Sequence, residues 1–205
     1  MIPDAWDIEL REGALTTARL LLDTGAVTFD AEHPFTCTSS GLVSPIHVDT
    51  RRLLSDPEAR STVLTLAVRM IRQETDTGAL DAVAAGQGVG EVWAALIADR
   101  LNLPLLHVRR DPPDDPHKHP VEGHVEPGWR VLLVDQLATD GCRKAGLAKP
   151  LRRAGCEVYD GFVIFQYGCF DTIHESLAPL GITLHALATW WDLLELAGQG
   201  HCLPG

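Results

Sequence analysis

The chain has no apolar run approaching the roughly 18 residues that a membrane-spanning helix needs, its longest candidate strands being only a few residues long. Its N-terminus, with Asp4, Asp7 and Glu9, lacks a basic stretch followed by an apolar one, so no secretory leader is expected. Cationic residues are scarce: 17 Lys and Arg against 28 Asp and Glu leave a formal charge of −11. That balance excludes nonspecific binding to nucleic acid or to an anionic membrane, while leaving room for a local basic pocket around a phosphorylated small molecule. The five cysteines, at 37, 142, 156, 169 and 202, show no C-x-x-C spacing and are odd in number. They read as free thiols in a reducing compartment, and with the missing leader they set the expected location as cytoplasmic. Neither an internal repeat nor a long low-complexity segment is present.

What is present is length and alternation. A chain of 205 residues with 45% hydrophobic content can bury one sizeable core. A single unit over 1–205 is expected, with a small hood made mainly by residues 1–50. Apolar residues at helical spacing predict helices over Ile8 to Asp23, Pro57 to Glu74, Gly90 to Leu101, Gly141 to Ala154 and Trp190 to Ala197. Ser55 or Asp56 is placed to cap the second of these, with Pro57 in its first turn. Strands are expected at Val27 to Phe29, Ser44 to Val48, Asp81 to Gly86, Leu105 to Arg109, Glu157 to Phe165 and Thr183 to Ala188. Strand and helix alternate, so the fold class is α/β: a mainly parallel sheet of about five strands flanked by helices. Asp111 to Pro120 holds four prolines and three aspartates, which cannot pair regularly and make an exposed loop.

The chemistry concentrates after Val131-Leu132-Leu133-Val134. Such a run fits a strand covered on both faces, and it leads into Asp135 at its carboxyl end, where open α/β sheets place ligands. Ala138, Thr139, Asp140, Gly141 and Cys142 then form a small, polar turn whose N–H groups and following helix start suit an anion. The same spacing also fits an ordinary strand-to-helix connection. Cys142, at a helix start, is the one thiol whose position could alter its reactivity; packing in a turn accounts for it equally. Gly86-Gln87-Gly88-Val89-Gly90 closes the preceding predicted strand, where glycine lets backbone approach a ligand. Arg109 and Arg110 follow the next strand and are candidate donors to an anion, or a solvated surface pair. Asp114, Asp115, His117 and His119 also have divalent-metal donor chemistry, on a loop that preorganises poorly. His185, Trp190 and Trp191 read as packing or a subunit contact rather than base stacking.

The segment from Val131 to Gly141 resembles the phosphoribosyl diphosphate signature of type I phosphoribosyltransferases. Further stretches resemble the orotate phosphoribosyltransferase branch in that family's order. They include Leu22-Asp23-Thr24-Gly25-Ala26-Val27, Thr38-Ser39-Ser40-Gly41 before Ser44-Pro45-Ile46, and Ala98-Asp99-Arg100-Leu101 with Leu103-Pro104. Val121-Glu122-Gly123 before Glu126-Pro127-Gly128, and Leu184 to Asp192, continue the agreement to the end of the chain. The resemblance implies transfer of a phosphoribosyl group from phosphoribosyl diphosphate to orotate, in a homodimer, with Mg2+ carried mainly by the diphosphate and no metal ligand in the chain. It further implies that Asp135 meets the ribose hydroxyls, that residues 138–142 cradle the 5-phosphate, and that Gly86, Gln87 and Gly88 form the diphosphate loop. Arg109, Arg110 and Lys118 would supply cations, and Val43 would lie beside the base.

Several positions depart from the family pattern. Gln136 stands where a second acidic residue is usual, and Asp140 puts a carboxylate in the phosphate turn, either within it or turned outward as a helix cap. The loop that carries lysines and His-Gly in the family reads Arg110-Asp111-Pro112-Pro113-Asp114-Asp115-Pro116, with His117, Lys118 and His119 beyond. Each acid there close to a diphosphate costs about 1 kcal/mol or more even in water-like surroundings. Val43 replaces a lysine common beside orotate, and Ile46 and His47 replace an aromatic pair. Two functions follow as expectations: a working transferase in which Arg109, Arg110, His117, Lys118 or His119 replaces the lost lysines, or a paralogue that binds a phosphorylated sugar or nucleotide without turnover.

Overall fold

A computed structural model describes residues 5–36, 41, 43–109, 119–169 and 172–198. Helix α1 (Ala5–Asp23) ends where Gly25 takes φ +66°. Four short hood strands follow: β1 (Val27–Phe29), β2 (Phe35–Thr36), β3 (Val43–Ser44) and β4 (Ile46–Val48). They pair antiparallel as β1 with β4 and β2 with β3. The single strand expected over Ser44 to Val48 is split at Pro45, which has no N–H for a ladder. A short helix α2 (Arg51–Ser55), not anticipated, runs into α3 (Pro57–Glu74), whose bounds match the expectation. Asp56 is the cap: its carboxylate accepts from the Glu58 and Ala59 N–H groups, and Pro57 occupies the first turn, where no N–H is needed.

The remaining elements are β5 (Ala82–Gly86), α4 (Val89–Leu101), β6 (Leu105–Val108), β7 (Val121–Glu122), β8 (Val131–Ala138), α5 (Cys142–Arg153), β9 (Asp160–Gln166), α6 (Thr172–Leu177), β10 (Thr183–Thr189) and α7 (Trp190–Gly198). Six strands form the main sheet in the order β10-β9-β8-β5-β6-β7. All neighbours run parallel except the edge strand β7, antiparallel to β6, which the sequence did not lead one to expect.

Alternation along the strands divides the interior into two layers. Val83, Ala85, Leu132, Val134, Phe162 and Ile164 face a core shared with α1, α3, α4 and α7. Ala82, Ala84, Val131, Leu133 and Val163 face a second core built with α5 and α6. Strands covered on both faces explain why β5, β8 and β9 carry such continuous apolar runs. The order of strands also reverses. From β5 the chain steps outward to β6, then returns to the other side of β5 as β8, and the helices after β5 and β8 pack on opposite faces of the sheet. The carboxyl ends of β5 and β8 are therefore the topological switch point, where a crevice opens between diverging connections.

Candidate active site

Two loops meet at that switch point. The first follows β5: Gly88 takes φ +125°, outside the range of side-chain-bearing residues, and starts α4. Gly90 is required for a different reason, since a Cβ there would lie 2.4 Å from Asp135 Oδ1 and 3.0 Å from Asp135 Cα. Helix α4 thus begins against the backbone of β8. The second loop follows β8, where Gly141 takes φ +76° to start α5. Arg143, one residue into that helix, donates from Nη2 to the Gln87 carbonyl at 2.8 Å, so one guanidinium bridges the two loops.

Strand β8 runs on to Ala138 rather than stopping before Asp135, which places Asp135 inside the strand. The residue is 3% exposed. Oδ1 accepts from the Gln136 N–H at 2.8 Å, while Oδ2 lies 3.0 Å from Lys144 Nζ and 3.1 Å from Arg143 Nε. These last two approaches are ionic rather than aligned hydrogen bonds. Lys144 is itself buried, and its ammonium also donates to the Leu137 carbonyl. Burial pushes the Lys144 amine below its ordinary value, and the neighbouring Asp135 charge offsets only part of this. Asp135 therefore forms the floor of the site, locked from below by two cations.

The Asp140 carboxylate turns back on its own helix: Oδ1 accepts from the Cys142 N–H at 3.1 Å, and the residue is buried. It caps α5, though inward rather than outward as one expectation had it. Ala138, fully buried, is the last residue of β8, and Thr139 follows it into the turn. Cys142 is exposed, its sulfur 3.6 Å from the Ser176 hydroxyl.

The hood is tied to this edge of the sheet at two points. Tyr167, just past β9, donates from its hydroxyl to the Ile46 carbonyl at 3.3 Å, and Thr50 donates to Gln136 Oε1 at 2.8 Å. Val43 lies on β3, paired with Thr36 and 56% exposed. Arg109 does not point freely toward an anion, because Nη1 donates to Glu122 on β7 at 2.8 Å. Arg110, Lys118 and the acids and histidine at 111–117 lie outside the described residues. No group of three or more metal-type side chains occurs among the described residues.

Sequence reading missed three contributors. Lys144 shares a helical stripe with Leu147, Ala148 and Leu151, all on the buried side of α5, so a cation on an apolar face was the available signal. Arg143 and Thr50 carried none: one looks like a surface cation, and the other precedes a helix too short to be anticipated.

No family model matches the chain. A phosphoribosyltransferase from Corynebacterium diphtheriae superposes with a TM-score of 0.66 over 89% of this chain and 98% of its own, at 20% identity. With two glycine-bearing loops meeting at the β5–β8 switch point, the fold is that of the type I phosphoribosyltransferases. Closer relatives narrow the class. An orotate phosphoribosyltransferase of Roseobacter denitrificans is 39% identical over 199 residues, covering 97% of this chain and 88% of the relative. The crystal structure of orotate phosphoribosyltransferase from Aeropyrum pernix has a TM-score of 0.75 and 34% identity, over 89% of this chain and 99% of that one. The chain belongs to the orotate phosphoribosyltransferase family.

Proposed function

We propose that this chain transfers the phosphoribosyl group of phosphoribosyl diphosphate to orotate, giving orotidine 5′-monophosphate and diphosphate in pyrimidine nucleotide synthesis. A ring nitrogen of the base gives up its proton and forms a bond to C1 of the ribose, as the bond from C1 to the diphosphate oxygen breaks and the diphosphate leaves with the electron pair. The reaction needs little covalent help. Positioning and stabilisation of charge on the leaving group carry it. One observation supports the reading most directly: within a family that bears this name, Arg143 joins the Gln87 loop to the phosphate turn at the switch point.

In this reading the 138–142 turn holds the 5-phosphate on backbone N–H groups, at the start of a twelve-residue helix. Gly86, Gln87 and Gly88 face the diphosphate. Arg110 and Lys118 supply cations to it from the loop beyond β6, while Arg109 holds β7 against that loop's base. Asp135 sits under the ribose, and Val43 belongs to the hood side of the base. A resident metal does not fit the donors present: Gln136 is neutral, and the Asp135 oxygens are taken by the Gln136 N–H, Lys144 and Arg143. Mg2+ accordingly belongs to the substrate, bound by diphosphate oxygens, and no step is assigned to a protein-held ion. We further propose that residues 1–205 work as one unit with a hood over 1–50, that the protein is cytoplasmic, and that it is a homodimer.

Incubation with orotate, phosphoribosyl diphosphate and Mg2+ tests the proposal. Loss of orotate absorbance with matching formation of orotidine 5′-monophosphate is expected. No product across a range of pH and Mg2+ concentration would refute the activity.

A further inference from the structure

We propose that the C-terminal halves of α3 and α4 form a second anion site, remote from the two glycine-bearing loops, that takes a dianionic phosphate group. The proposal does not depend on the phosphoribosyl reading. A cavity of about 350 Å³ opens there, lined by Thr65, Val68, Arg69, Arg72 and Gln73 of α3 and by Arg100 of α4. The five α3 residues recur at helical spacing and so share one stripe. Val68 is buried, while the three arginines are exposed. No acidic residue is among the described residues that line the cavity.

Topology separates this cavity from the candidate active site. Helix α3 ends before β5 begins and α4 ends before β6 begins, so both C-termini lie at the amino edge of the sheet. The Gly88 loop lies at the carboxyl edge, at the other end of α4, about 20 Å away along its 13 residues. Charge sets the chemistry. The negative end of a helix attracts a cation, which accounts for Arg72 and Arg100, each in the last turn of its helix. It does not account for Arg69, one turn earlier on the same stripe, which repels Arg72 three residues on. Arg69 pairs with Glu9 of α1, and Arg72 Nη2 donates to the Arg100 carbonyl at 3.5 Å. No carboxylate of a described residue pairs with Arg72 or Arg100. Three cations against one acid leave two positive charges in a chain of formal charge −11, and inorganic phosphate or a phosphate monoester at pH 7 neutralises them. Guanidinium forks match phosphate oxygens, and the Gln73 amide adds a neutral donor beside them. The volume suits a phosphate with a small organic group.

The test is a titration followed by two-dimensional amide NMR, using inorganic phosphate and glycerol 3-phosphate, with chloride at matched ionic strength as the control. Amides of residues 65–73 and 100–102 should shift saturably, with a Kd of about 1 mM or tighter. Amides of residues 138–142 report binding at the candidate active site as a separate event. Arg72→Gln and Arg100→Gln should each weaken the amino-edge constant about tenfold, the worth of one charged hydrogen bond, and leave the response of 138–142 unchanged. Arg72→Lys keeps the charge but loses the fork, and should weaken it about threefold. A tighter constant for glycerol 3-phosphate assigns the site to an organic phosphate, and equal constants assign it to the free ion. Absence of saturable shifts at the amino edge, unchanged binding in both glutamine variants, or chloride reproducing the shifts would overturn the inference.

Discussion

Replacing Lys144 with Met tests whether Asp135 is held from below by an internal cation. The side chain is 5% exposed, its Nζ lies 3.0 Å from Asp135 Oδ2, and the Asp135 side chain is 4% exposed. Methionine fills nearly the same volume, so lost packing contributes little. Removing one member of a buried ion pair costs about 3–5 kcal/mol, because the other charge stays buried without its partner. Arg143 Nε remains 3.1 Å from the same oxygen, but its side chain is 42% exposed and screened by water, so the lower end applies: about 3 kcal/mol. For a chain of this length that lowers the melting temperature by about 7 °C. Scanning calorimetry at one protein concentration and pH 7 measures it. In Lys144→Met with Asp135→Asn the orphaned charge is gone, so the double variant should recover about 2 kcal/mol of the summed losses. There is also a signature in pH. Burial lowers the folded-state value of Lys144, so between that value and about 10.4 the unfolded chain binds a proton that the native state does not. Wild-type stability should rise with pH relative to Lys144→Met across that alkaline window and run parallel to it below. A single variant melting within about 1 °C of wild type, or losses that simply add, would refute the internal-cation account.

Arg143→Ala should raise the KM for phosphoribosyl diphosphate by about tenfold, since a charged hydrogen bond between the two loops is lost; steady-state kinetics decide it. Gly90→Ala forces a Cβ to within 3.0 Å of the Asp135 Cα, a backbone atom that cannot yield alone, and should cost about 3 kcal/mol in a denaturant titration. Asp56→Ala removes the cap of α3 and should cost about 1 kcal/mol in the same titration while turnover stays at the wild-type rate.

The sheet was legible because its strands are buried on both faces and its helices have one apolar face each, and both patterns survive in single residues. Val63, Leu64, Ala67, Met70 and Ile71 mark the buried side of α3, and Asp56 and Pro57 mark its start. Elements missed were those too short to show a period: β2, β7, α2 and α6 have two to six residues each. The end of β8 was misplaced because polar Asp135 and Gln136 were read as leaving the sheet. They stay in it, since Asp135 pairs with Val163 of β9 and the charge finds partners on α5. The site was legible as a sequence of loops but not as a network. Nothing local to Arg143 announces that it reaches Gln87, 56 residues earlier. The Thr50–Gln136 contact is likewise a product of topology, made when the hood folds over the carboxyl edge of the sheet.

Electrostatics accord with the proposed binding of a multiply charged anion at that edge of so acidic a chain. Two carboxylates stand in the signature, and both have partners: Asp135 the Lys144 and Arg143 cations, Asp140 the Cys142 N–H. Counted together, the charges of Asp135, Asp140, Arg143 and Lys144 cancel. In the proposed reading a phosphate would then meet the remaining backbone N–H groups of the two loops and the positive end of α5, with the Cys142 N–H already engaged by Asp140. Loss of the acid at 136 fits the same logic. A carboxylate there would restore a net negative charge at the end of β8, whereas glutamine, hydrogen-bonded to Thr50, leaves that group of side chains neutral.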